Sequence, residues 1–187
     1  MSDNLKARIL QTASELFYSQ GIKATGVDAI VKAAGTTKMS LYKYFPSKDD
    51  LVLAHLRKSG AEMRVRIING IESRAVNPDD KLLAVFDVFG ELLSLAEFRG
   101  CPFINASAEF AAPDNPVQQA SREFYQDFRH ALAAIARQAK AKNPEELANQ
   151  LVLLIAGAIV TEQMQRDSGA MAAARRAAEM LIAGSLS

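Results

Sequence analysis

The stretch TGVDAIVKAAGTTKMSLYKYFPSK, residues 25–48, holds two short helical patterns separated by a three-residue turn. Val27, Ile30, Val31 and Ala34 recur at i, i+3, i+4 and i+7, one face of a helix. Gly35 supplies a residue able to take the left-handed conformation that stops it. Thr36 and Thr37 follow, either able to cap a second helix through its hydroxyl. On that second helix Leu41 and Phe45 face inward, leaving Lys38, Met39, Ser40, Tyr42, Lys43 and Tyr44 for other faces. Two helices joined by a tight turn containing Gly form a helix-turn-helix, whose second helix enters the DNA major groove.

The pattern extends outward in both directions. A helix is expected from about Asn4 to Gln20, with Leu5, Ile9, Ala13, Leu16 and Phe17 inward and Gly21 ending it. It would cover the two helices of the unit and complete a three-helix core. Downstream, Ser47 is placed to cap a fourth helix whose first turn holds Asp49 and Asp50, favourable at the positive helix end. Its apolar residues run to about Ser73, with a kink expected near Gly60. Breaks at Asn77-Pro78, Arg99-Gly100-Cys101-Pro102, Ala112–Pro116, Asn143-Pro144 and Ser168-Gly169 divide the remainder into further helices, about nine in all. The expected fold is all-α: a DNA-binding domain over residues 1–58, then a larger helical domain over 59–187.

Composition bounds the partners. Hydrophobic residues make up 49% of the 187, too many for a disordered chain. The formal net charge of +1 hides an asymmetry. Residues 1–58 hold nine Lys/Arg against five Asp/Glu, a net of +4, and residues 59–187 hold thirteen against sixteen, a net of −3. A basic domain facing nucleic acid, attached to an acidic one, accounts for this. The excess is modest, so tight binding calls for two copies acting together. The single cysteine, Cys101, cannot form an internal disulfide, in keeping with a reducing cytoplasm. No signal-peptide pattern opens the chain. The most apolar run, Leu151 to Val160, is ten residues and too short for a bilayer, so no membrane association is expected.

From Thr25 to Leu51 the chain reads T-x-x-x-x-I-x-x-A-A-G-x-T-K-x-S-L-Y-K-Y-F-x-x-K-x-x-L, and Ile9, Ala13, Leu16, Phe17 and Gly21 extend the match upstream. This pattern resembles the TetR family of bacterial transcriptional regulators over roughly the first 58 residues. Residues near the start of a recognition helix usually reach base edges, which selects Lys38, Met39 and Lys43 as readers. Lys can donate to guanine O6 and N7, and Met offers apolar contact to a thymine methyl. Met39 stands where the family often carries glycine or another small residue. Ser40, Tyr42, Tyr44, Thr25 and Lys48 look like the family's phosphate clamps, which position the helix without reading sequence. Thr36 and Thr37, at the start of the helix, complete the DNA-facing set.

Beyond residue 58 the resemblance implies a helical effector-binding and dimerisation domain. Seven of the nine Phe fall between residues 86 and 128, and aromatic side chains from several helices can line an apolar pocket. The expected effector site comprises Phe86, Phe89, Leu93, Cys101, Phe103, Ile104, Phe124, Phe128 and Gln163. In LVLLIAGAIVTEQM, residues 151–164, apolar residues cover nearly the whole helix circumference, and Ala156-Gly157-Ala158 would admit a second helix closely. The expected dimer interface is Leu151, Leu154, Ile155, Ala158, Ile159 and Met180. His55 and His130 lack partners in metal-ligand spacing, and no nucleophile motif or phosphate loop appears, so neither cofactor nor catalysis is expected. The overall expectation is a homodimeric repressor of a pseudo-palindromic double-stranded operator, released by a small apolar or aromatic effector. An activator, an effector-independent regulator, or an all-α carrier or enzyme with an N-terminal protein-contact unit are the alternatives.

Overall fold

The computed structural model describes residues 2–186, and among these the chain forms nine α-helices and no strand. In order they are α1 (Ser2–Gln20), α2 (Val27–Ala33), α3 (Lys38–Tyr44), α4 (Lys48–Glu72), α5 (Pro78–Ser94), α6 (Pro102–Glu109), α7 (Pro116–Gln138), α8 (Pro144–Met164) and α9 (Ala170–Leu186). Proline opens α5 to α8, where its missing N–H would have no intrahelical partner and its fixed φ suits the first turn. Gly35 ends α2 at φ 58. The Thr36 N–H reaches Val31 O at 2.9 Å and the Gly35 N–H reaches Lys32 O at 3.2 Å, a Schellman closure. α4 is one continuous helix through Gly60. The residue is accommodated without interrupting the helical ladder.

By backbone contacts the chain forms two compact units. The first comprises the described residues up to Ala61 together with Cys101–Arg122, and the second comprises Glu62–Gly100 and the residues from Glu123 onward. α6 therefore groups with the N-terminal helices.

In the first unit Ile9, Ala13 and Phe17 of α1, Ile30 of α2, and Leu41 with Phe45 at α3 are buried. Seven-residue helices such as α2 and α3 are too short to be stable in isolation. Burying a side chain such as Ile30 or Leu41 contributes about 1.5–3 kcal/mol, several times any propensity difference between ordinary residues. Packing on α1 therefore holds both helices in place.

In the second unit α8 packs on α9, and both pack on α5. Arg175 of α9 donates to Asp87 of α5 at 2.7 Å and also pairs with Glu179. The turn after α8 passes through Asp167, which has φ 56, unusual for a residue other than glycine. The buried Glu162 carboxylate accepts from the Asp167 N–H at 2.6 Å, the Ser168 N–H at 3.2 Å and the Ser168 hydroxyl at 2.6 Å. The Ser168 hydroxyl above all, despite the opposing cost of burial, holds this carboxyl below its ordinary range. Glu162 is thus the clasp of the α8–α9 turn.

Burial divides the residues expected at the dimer face. Leu151, Ile155, Ala158 and Ile159 are all below a tenth exposed and hold α8 within its own unit, and Leu154 is half-buried. The side of α8 left open carries Leu153 (61% exposed), Gly157, Val160 and Met164 (76%), and Met180 of α9 is likewise exposed. A helix apolar all round gave no sequence signal for which side was which. As a whole α8 is also long and apolar enough to cross a membrane, unlike its ten-residue apolar centre alone. Its Leu147, Leu151, Val152 and Ile155 are buried within the unit, the pattern of a core helix.

Candidate nucleic-acid interface

The recognition helix is fixed at its start by Thr37. Its hydroxyl oxygen accepts from the Ser40 N–H at 3.2 Å and its hydrogen donates to Ser40 Oγ at 3.1 Å. Thr37, not Thr36, is therefore the N-cap, and its hydroxyl shapes the helix before any contact with DNA. Leu41 anchors the inward face. Outward stand Met39, 82% exposed, Tyr42, 43% exposed, and Lys43. Ser40, Tyr44, Thr36 and Lys48 are half-buried. Lys48 begins α4 immediately after Ser47, whose hydroxyl accepts from the Asp50 N–H at 3.0 Å and donates to the Asp50 carboxylate at 2.7 Å.

Two expected DNA contacts change character. Thr25 is buried, and its hydroxyl is directed at the carbonyls of Gly21 (2.7 Å) and Leu16 (3.3 Å). Its only hydroxyl hydrogen is engaged within the protein, so its side chain ties α1 to α2 and is not a phosphate donor. Lys38 is not a free cation either, since its Nζ lies 2.8 Å from Asp28 Oδ1 in the first turn of α2. The hydrogen bond to Asp28, then its charge, raise the lysine pKa.

A feature that local sequence patterns did not mark lies at the end of α1. The Glu109 carboxylate accepts from the Ile22 N–H at 2.9 Å and the Lys23 N–H at 2.6 Å, and the Lys23 ammonium sits 5.6 Å from the centroid of the Phe110 ring. Gly21, at φ 92, brings the backbone against this carboxylate. Beside the clamp is a cavity of about 260 Å³ whose lining includes Phe17, Ile22, His55, Asn105 and Glu109. His55 is buried, edge-on to Phe17 at 5.7 Å.

The expected effector residues are divided between the units. Cys101, Phe103 and Ile104 belong to the first, while Phe86, Phe89, Leu93, Phe124, Phe128 and Gln163 belong to the second. None of the nine lines the cavity beside Glu109. Within the second unit Phe89 meets Phe128 edge-to-face at 5.7 Å, and Phe86 is almost wholly buried. Burial pushes the Cys101 thiol above its ordinary pKa, which disfavours the reactive thiolate. Among the described residues no cluster of metal-ligating side chains forms.

A basic, hydroxyl-rich recognition helix on a three-helix core defines a DNA-binding protein of the helix-turn-helix class. The family model described as "Bacterial regulatory proteins, tetR family" matches residues 9–55, and "Tetracyclin repressor-like, C-terminal domain" matches residues 78–178. The chain belongs to the TetR family of transcriptional regulators, DNA-binding proteins and not enzymes. It is similar to SCO4454, a TetR-family transcriptional regulator from Streptomyces coelicolor. The TM-score is 0.92 and the identity 27%, covering 99% of this chain and 97% of that one. It is 28% identical to the uncharacterized regulator YxaF of Bacillus subtilis, covering 80% of this chain and 78% of the relative. To the regulator LmrA of the same organism it is 26% identical, covering 79% and 81%. Members of this family are soluble proteins that bind DNA and dimerise.

Proposed function

We propose that the chain is a cytoplasmic homodimeric repressor whose two α3 helices read the half-sites of a pseudo-palindromic operator, and that a small apolar or aromatic effector releases it. The observation that carries this reading is the outward face of α3, where Met39, Tyr42 and Lys43 stand exposed on a helix anchored by Leu41. Met39 and Lys43 are the base readers together with Lys38, and Tyr42, Tyr44, Ser40 and Lys48 contact phosphate. Dimerisation uses the open side of α8 and α9, through Leu153, Gly157, Val160, Met164 and Met180. A residue without a side chain at Gly157, with nothing within 4 Å of where a Cβ would stand, lets the partner's helix approach closely. Half-sites read by such a dimer lie one helical turn or a multiple apart. Effector binding in the aromatic part of the larger domain shifts the population toward a dimer with the wrong spacing, which requires different effector affinity in the two states.

The test is selection of duplexes from a randomised pool, followed by titration of the enriched duplex across salt and against a panel of small aromatic compounds. A two-fold symmetric motif, a stoichiometry of two chains per duplex, and affinity falling steeply with salt are expected. If no sequence is enriched, the reading of α3 is wrong. If no compound in the panel weakens binding, the aromatic-inducer part is lost.

A further inference from the structure

The pair between Asp28 and Lys38 has a geometry that suits DNA reading better than it suits stability. Both side chains are largely exposed, so as a structural bond it contributes little. It joins the first turn of α2 to the first residue of α3, two helices whose mutual placement is fixed by the buried Ile30, Ala34 and Leu41. The backbone that carries the carboxylate is thus fixed, and the longer, more flexible partner is the lysine. A lysine ammonium has three N–H donors. Asp28 takes one at 2.8 Å, leaving two, the number that a contact to guanine O6 and N7 uses.

Resting on the DNA-binding reading above, we propose that Asp28 is a specificity-determining positioning residue. It keeps its bond to Lys38 in the complex, aims the remaining ammonium donors at a guanine in each half-site, and withholds that charge from indiscriminate phosphate contact. The raised lysine pKa accords with a bond formed before DNA arrives. Holding a long side chain in one rotamer in advance removes an ordering cost on binding equivalent to about three- to tenfold in affinity per half-site.

The experiment compares wild type, Asp28→Asn, Lys38→Ala and the double variant on a duplex enriched from a randomised pool and on a shuffled duplex of the same composition. Asp28→Asn is expected to bind the enriched duplex about three- to tenfold more weakly per half-site. It should bind the shuffled duplex equally or more tightly, with a log–log salt slope steeper by about 0.9 per protomer. A repeated selection with Asp28→Asn should lose the preference at one guanine. In the Lys38→Ala background the Asp28 substitution should change the enriched-duplex affinity less than twofold. Tighter binding of both duplexes by Asp28→Asn would mean that the pair must break on docking, which overturns the proposal. So would equal weakening on both, or an effect that persists without Lys38. If wild type enriches no sequence at all, it is the DNA-reading assignment of α3 that fails.

Discussion

Replacing Glu109 probes how much of the DNA-binding head's order comes from a carboxylate 86 residues further along the chain than the nearer amide it holds. The carboxylate accepts two charge-assisted bonds from consecutive backbone amides, at 2.9 and 2.6 Å. Bonds of this kind contribute about 1.5–3 kcal/mol each when buried. Here the side chain is half-buried and a 260 Å³ cavity adjoins it, so water can reach the amides once the carboxylate is gone. That favours the lower end, and Glu109→Ala should cost about 2–3 kcal/mol in total. For a chain of this length each kcal/mol corresponds to about 2–4 °C, so Tm should fall by about 5–10 °C. Glu109→Gln keeps one acceptor oxygen but turns an NH2 group toward the second donor, and should lose about half as much. Thermal unfolding followed by far-ultraviolet circular dichroism reads both variants. A Glu109→Ala protein melting within about 1 °C of wild type would refute the reasoning, as would a Gln variant no better than Ala.

Glu162 makes stability depend on acid. Its folded pKa is depressed, so the stabilisation is complete above the unfolded value, about 4.3, and is lost as pH falls through the lower folded value. Chemical denaturation between pH 7 and pH 3 should show Glu162→Gln less stable than wild type at neutral pH, with the difference shrinking in acid. An exposed mid-helix Gly→Ala exchange ordinarily stabilises by about 1 kcal/mol. At Gly70 the added Cβ would lie 2.5 Å from Val88 Cγ2, and Val88 is buried, so Gly70→Ala should destabilise by about 1–2 kcal/mol in urea titration. Leu153→Glu places a charge on the open side of α8, and sedimentation velocity should show a shift to monomer with little change in helicity. Leu151→Glu buries its charge in the unit and should cost folding itself, which separates the two sides of one helix.

The helix-turn-helix was legible because its signals are local. Periodicity marked α2, Gly35 stopped it, and Thr36 and Thr37 both offered a cap for α3, of which Thr37 is the one that reaches the Ser40 amide. Proline and glycine located the later breaks for the same reason. Pairings across the turn were not legible: nothing in the sequence says that Asp28 and Lys38 meet, or that Thr25 uses its hydroxyl on Gly21. Glu109 was further out of reach, since its partners are amides on a distant segment and one more glutamate at a helix end carries no marking of its own. α8 failed differently. Its apolar residues cover both sides, and only the packing of α5 and α9 shows which side the chain covers for itself.

The discontinuous first unit bears on how such heads can be exchanged. A recombination junction placed after the fourth helix begins would transplant α1 to α3 with their recognition surface and leave behind the segment Cys101–Arg122 that clusters with them. The transplanted helices would then meet a foreign α6, with whatever side chain the host carries at the position of Glu109. Grafting this reading head onto a relative's sensor therefore calls for two cuts' worth of donor sequence, and chimeras carrying only the N-terminal piece should be the ones that express poorly.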